Sequence, residues 1–166
     1  MKTDNTVEMA GDLEHIVALA VDTERWPEIL PHYRWVTLLA GGGDAKTVEM
    51  AARRDRIPVK WRAVQTVECN GPTPVIRFVH IWGVTKGMEV AWTFDTSRPD
   101  VVGVRIDHDF EPWWPLIGRT PIGRLVADRI IAPHFVGAIA GRTLATIKAI
   151  VEDRDERFTP DGRPRR

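Results

Sequence analysis

Towards the C-terminal end, apolar residues fall at Val136, Ala140, Leu144, Ile147 and Val151, at gaps of four, four, three and four. That rhythm is helical and leaves Arg142, Lys148 and Glu152 on the opposite face. Ile122, Val126 and Ile130 continue the stripe upstream, so the pattern predicts a long helix from about Gly118 to Glu152. Pro133 lacks an amide proton and crowds the carbonyl four residues before it, which predicts a kink near Arg129 to Pro133. A helix of about 30 residues is roughly 45 Å long and, being amphipathic, must lie across an apolar surface.

The preceding residues supply that surface. Thr6 to Ala10 alternates as a short strand. Asp12 is placed to cap a helix over Leu13 to Val21, and Asp22-Thr23 a second short one that Trp26-Pro27 carries to Pro31. The period then changes to two. Strands are predicted at Tyr33 to Leu39, Lys46 to Arg53, Ile57 to Glu68, Pro74 to Val84, Met88 to Asp95 and Val101 to Phe110. Turns separate them at Gly41 to Asp44, Asn70-Gly71-Pro72, Lys86-Gly87 and Ser97 to Asp100. Such short connections favour antiparallel neighbours. Strand, two short helices, six strands and a long helix make an α+β fold: a seven-stranded antiparallel sheet wrapped around its C-terminal helix, with room for a cavity between them.

Alternation sorts each strand into two faces. Turned inward are Val59, Trp61, Ala63, Gln65 and Val67; Ile76, Phe78, His80 and Trp82; Met88, Val90, Trp92 and Phe94; and Val102, Val104, Ile106, His108 and Phe110. A bulge at Gly83 would invert part of one strand. The polar inward residues are few, namely Gln65, His80 and His108. Each needs a partner within the fold or in a ligand, because an unpaired buried amide or imidazole costs about 1–3 kcal/mol. An apolar cavity with a few placed polar groups describes a small-molecule site.

Composition narrows the function. The 166 residues are 43% hydrophobic with a formal net charge of zero, as in an ordinary soluble domain and without the basic footprint of a nucleic-acid binder. The N-terminus has no apolar signal region, and no apolar run is long enough to span a membrane. Cys69 is the only cysteine, so no internal disulfide can form; a cytoplasmic protein is expected. The five histidines show no metal-ligand spacing. Ser97, the only serine, lies in a turn without a nucleophile elbow. No phosphate loop or dinucleotide fingerprint occurs, so no cofactor is expected. The pattern sets no oligomeric state.

The element order and the stretch Asp22 to Pro31 (DTERWPEILP) resemble the START-like, or SRPBCC, superfamily of helix-grip proteins, and within it the polyketide cyclase/dehydrase and lipid transport branch. The run His80 to Met88 (HIWGVTKGM), Trp92-Thr93-Phe94, Pro133-His134-Phe135 and Arg142 to Glu152 carry the same likeness. It covers about Thr6 to Glu152. It implies one ligand-binding domain over residues 1–153, with a polar tail over 154–166, and a deep hydrophobic cavity between sheet and helix. It brings no known catalytic constellation.

The candidate ligand contacts are Trp61, Gln65, Phe78, His80, Trp82, Trp92, Phe94, His108, Trp114 and Phe135. His80 and His108 sit two strand spacings apart, about 10 Å. If the protein is an enzyme they are its catalytic candidates, moving protons in the cyclisation and dehydration of a poly-β-ketone. The competing reading makes them core histidines bonded to neighbours. Trp61, Trp82 and Trp92 line the cavity or simply fill the core. Trp113 and Trp114 gate the mouth, touch membrane lipid during loading, or pack beneath their loop; His134 lies over the cavity or on the helix surface. The expected function is binding of a hydrophobic or aromatic small molecule, in the manner of a polyketide cyclase/aromatase. The alternatives are a non-catalytic carrier of an isoprenoid quinone or lipid, and a ligand sensor.

Overall fold

The computed structural model describes residues 2–54, 57–111, 121 and 136–157. Seven antiparallel strands form one sheet: β1 (Lys2–Ala10), β2 (Tyr33–Gly42), β3 (Ala45–Arg54), β4 (Ile57–Glu68), β5 (Val75–Gly83), β6 (Glu89–Arg98) and β7 (Val101–Asp109). Their order is β1-β7-β6-β5-β4-β3-β2, so β2 to β7 run as successive hairpins and β1 closes against the last. Helices α1 (Leu13–Val21) and α2 (Trp26–Ile29), joined by a 3-10 turn at Thr23–Arg25, carry the chain from one sheet edge to the other. The Asp12 carboxylate caps α1 by accepting from the His15 amide at 3.1 Å. Helix α3 (Gly137–Arg157) closes the described chain.

The apolar stripe is buried throughout, from Val136 just before α3 to Ala140, Leu144, Ile147 and Val151 within it. The helix also protects edge strand β1. Lys148 Nζ donates to the Glu8 carbonyl at 2.7 Å, and the Ala10 amide donates to Glu152 Oε1 at 3.1 Å. These bonds satisfy ladder groups that an exposed edge would offer to another chain. The expected kink at Pro133, along with Trp113, Trp114, His134 and Phe135, lies outside the described residues.

The inner faces of β6 and β7 are buried as alternation predicts, from Val90 to Phe94 and from Val102 to His108, with Met88 and Phe110 beside them. Strand β1 is longer than its apolar pattern, because its inward positions Thr3 and Asn5 are polar yet pair in register with His108 and Ile106.

Strand β5 corrects the expected faces. Ala63 pairs with His80 but Arg62 pairs with Trp82, so Ile81 is an extra residue between them. Beyond this bulge the alternation slips, and Trp82 lies on the outer face at 47% exposure rather than inward. There its ring takes the Lys60 ammonium at 5.7 Å and the Arg62 guanidinium at 5.2 Å. Gly83 completes the turn with φ of +101°, and a Cβ there would stand 2.6 Å from the Lys60 carbonyl oxygen.

Candidate ligand cavity

A cavity of about 430 Å³ lies between the inner face of the sheet and the start of α3. That is within the range of small-molecule sites. Its lining is mostly apolar: Met50, Phe78, Met88, Val90, Ile106 and Ala140 meet the rings of Trp26, Tyr33, Trp61 and Trp92.

The rings form a connected wall. Trp26 meets Tyr33 edge-on at 4.9 Å between centroids and reaches Phe78 at 6.0 Å and Trp92 at 6.1 Å. Tyr33 meets Trp61 at 6.1 Å, and Trp61 stacks on His80 at 5.7 Å with planes 14° apart. Trp26 Nε1 donates to the Leu19 carbonyl at 2.9 Å, which fixes the indole at the end of α1. Trp26 and Tyr33 were not among the sequence candidates. The signal available was a large ring on a short helix followed at once by a strand with an aromatic first residue.

The structure divides the ten candidates. Trp61, Phe78, His80, Trp92 and His108 line the cavity together. Trp82 does not, for the reason given above. Phe94 is buried farther along β6 and is not part of the lining. Gln65 is 1% exposed but works as a fastener: its Nε2 donates to the Val21 carbonyl at 2.9 Å and its Oε1 accepts from Thr23 Oγ1 at 3.1 Å. Lys46 reaches the same carbonyl at 3.1 Å and ion-pairs with Glu24, so the turn after α1 is pinned to β3 and β4. Trp114 and Phe135 lie outside the described residues.

Each polar group at the cavity has its own environment. The β5–β6 turn holds His80: its amide donates to the Met88 carbonyl at 2.9 Å, and Nδ1 and Thr85 Oγ1 share a hydrogen bond of 2.7 Å. Burial, with a smaller effect of the nearby His108, pushes the His80 pKa down to about 3. Burial likewise lowers His108 to about 4, against smaller opposing effects of Asp107 and the Thr3 backbone. Both imidazoles are therefore neutral at pH 7. His108 Nδ1 is buried without a hydrogen-bond partner. At the helix side, His32 Nε2 and Thr143 Oγ1 are bonded at 2.9 Å, and burial lowers His32 to about 4. Burial raises the adjoining Tyr33 phenol above its ordinary range, so it stays protonated.

Among the described residues, no group of three or more His, Cys, Asp or Glu is placed to hold a metal ion, and no helix is long and apolar enough to cross a membrane.

A seven-stranded antiparallel sheet gripping a C-terminal helix around an apolar cavity is the helix-grip architecture of the START-like superfamily. The chain belongs to the family described as polyketide cyclase / dehydrase and lipid transport, whose sequence profile matches residues 12–132. Solved structures share the fold at low identity. The Zhui aromatase/cyclase from a Streptomyces species is 15% identical, with a TM-score of 0.75 over 93% of this chain and 94% of that one. A START superfamily protein from Mycobacterium smegmatis is 18% identical, with a TM-score of 0.64 over 92% and 97%. A STAR-related lipid transfer protein from Xanthomonas axonopodis is 15% identical, with a TM-score of 0.63 over 91% and 85%. A search of curated protein sequences finds no match.

Proposed function

We propose that this protein binds an apolar or aromatic small molecule in the cavity between its sheet and α3. The observation that carries the reading is the wall of Trp26, Tyr33, Trp61, Phe78 and Trp92 around an apolar space. Family membership supports it, since the family's description spans polyketide cyclisation and lipid transport. Within this reading, carriage of a lipid or isoprenoid quinone fits the chemistry of the wall best. A base with a pKa of about 3 or 4 has little driving force to take a proton at pH 7, and His80 and His108 both lie there.

A cyclase/aromatase-like activity is the second reading, favoured by one observation. His80 and His108 both line the cavity, so two imidazoles border the space that a substrate would occupy.

Native mass spectrometry of the protein from its own source, with solvent extraction of what it retains, tests the proposal. We expect one lipophilic molecule per chain. A retained quinone or acyl lipid supports carriage. A polycyclic aromatic product supports the cyclase, whose turnover should then fall in His108→Ala. A protein that comes out empty and takes up no lipid or polycyclic aromatic afterwards would contradict the proposal.

A further inference from the structure

The sheet leaves one edge of the cavity without strand pairing. Strand β5 ends at Gly83, which pairs with Trp61, so Ile57 to Lys60 at the start of β4 pair with β3 alone. These four residues line the cavity, together with Val84 and Thr85 of the turn that follows β5. Ile57 is 56% exposed and Val84 47%. Residues that border the cavity and also meet solvent mark its mouth.

The outer side of this corner is apolar and basic at once. Ile81 and Trp82, just before Gly83, are exposed like Ile57 and Val84. The Trp82 ring carries the Lys60 ammonium and the Arg62 guanidinium, and Lys60 also lies 5.2 Å from the Trp35 ring. Lys60 and Arg62 both pair with Glu49, at 2.9 Å and 2.6 Å, yet Glu49 is largely buried while the two cations are half-exposed. One carboxylate beneath two cations leaves the surface positive. Arg53, paired in register with Pro58, and Lys86 in the β5–β6 turn are exposed at the same corner. Exposed apolar side chains gathered in one place mark a contact surface. Tryptophan favours the boundary between water and lipid, and cations beside it attract anionic headgroups. A second copy of the chain fits worse, because a two-fold pairing would set this basic rim against itself.

We propose that the rim formed by Ile57, Ile81, Trp82 and Val84, with Lys60 and Arg62 beside it, docks on an anionic lipid bilayer, so that the cavity opens against the lipid. This extends the cavity-binding reading and rests on it. The test is co-sedimentation with vesicles of phosphatidylcholine alone and of phosphatidylcholine with about a third phosphatidylglycerol. Wild type should bind the anionic vesicles about tenfold tighter than the neutral ones, and high salt should remove that preference. Trp82→Ser should weaken binding to both kinds of vesicle, and Arg62→Gln to the anionic kind alone. Neither residue lines the cavity, so both variants should bind 2-methylnaphthalene as wild type does, read from the quenching of tryptophan fluorescence. That binding also shows that the variants are folded. Wild type that binds 2-methylnaphthalene but no vesicle, or vesicle binding that survives both substitutions, would overturn the docking and leave the cavity standing. A dimer in sedimentation velocity that Trp82→Ser returns to monomer would give the rim to a second copy and overturn it too. If wild type takes up no 2-methylnaphthalene, the cavity reading falls and the docking role with it.

Discussion

The buried imidazoles link structure to a pH profile. In the unfolded chain a histidine titrates near pH 6.5, whereas His80 and His108 in the fold wait until about 3 and 4. Between those values the unfolded state binds more protons, so stability is full above about pH 6.5 and is lost as pH falls toward the folded values. Each group should cost about 2 kcal/mol between pH 6.5 and pH 5. Urea midpoints measured from pH 7.5 to pH 5 should therefore fall, and His80→Gln should remove its own share of the drop. A flat profile would contradict the buried, neutral state of both rings. At this scale the sequence was legible in part. Period two brought Trp61, Phe78, His80, Trp92 and His108 to one face. It could not say that Gln65 spends both ends of its amide on Val21 and Thr23, because those partners come from a turn some 40 residues away in sequence.

Among the elements, the bulge in β5 decides which aromatics reach the cavity. One extra residue, Ile81, keeps His80 inside and puts Trp82 outside. An alternating pattern carries no mark of an inserted residue, and Ile81-Trp82-Gly83 reads equally well in either phase. Gly83 is the local signal, and its role can be measured. A Cβ at Gly83 would meet the Lys60 carbonyl oxygen at 2.6 Å and Trp61 Cα at 3.0 Å, in addition to the unfavourable φ. At Gly87 the φ is similarly positive, at +89°, but the nearest atom stands 3.9 Å away. Gly83→Ala should thus cost about 1–3 kcal/mol, more than Gly87→Ala, in urea denaturation. Equal costs would mean that the close approach of β4 does not matter. Helix α3 was the most legible element, since Val136 to Val151 repeat at helical spacing and all five stripe residues are buried.

For the molecule as a whole, the order of elements was enough to give the sheet, its antiparallel pairing and the helix lying against it. The wall of the cavity was less legible, because Trp26 sits on α2 and meets Tyr33, Phe78 and Trp92 only once the chain has crossed from one sheet edge to the other. The resulting space is the centre of the account, and the methionines report on it most directly. The chain has four; Met50 and Met88 line the cavity, while Met9 is buried in the core away from the lining. With methyl-13C methionine in the protein, titration with 2-methylnaphthalene should shift the Met50 and Met88 methyl resonances through the ring current of the bound probe. The Met9 resonance should stay in place. Saturable binding that moves Met9 and leaves Met50 and Met88 unchanged, or no shift at saturating probe, would contradict a ligand site between the sheet and its helix.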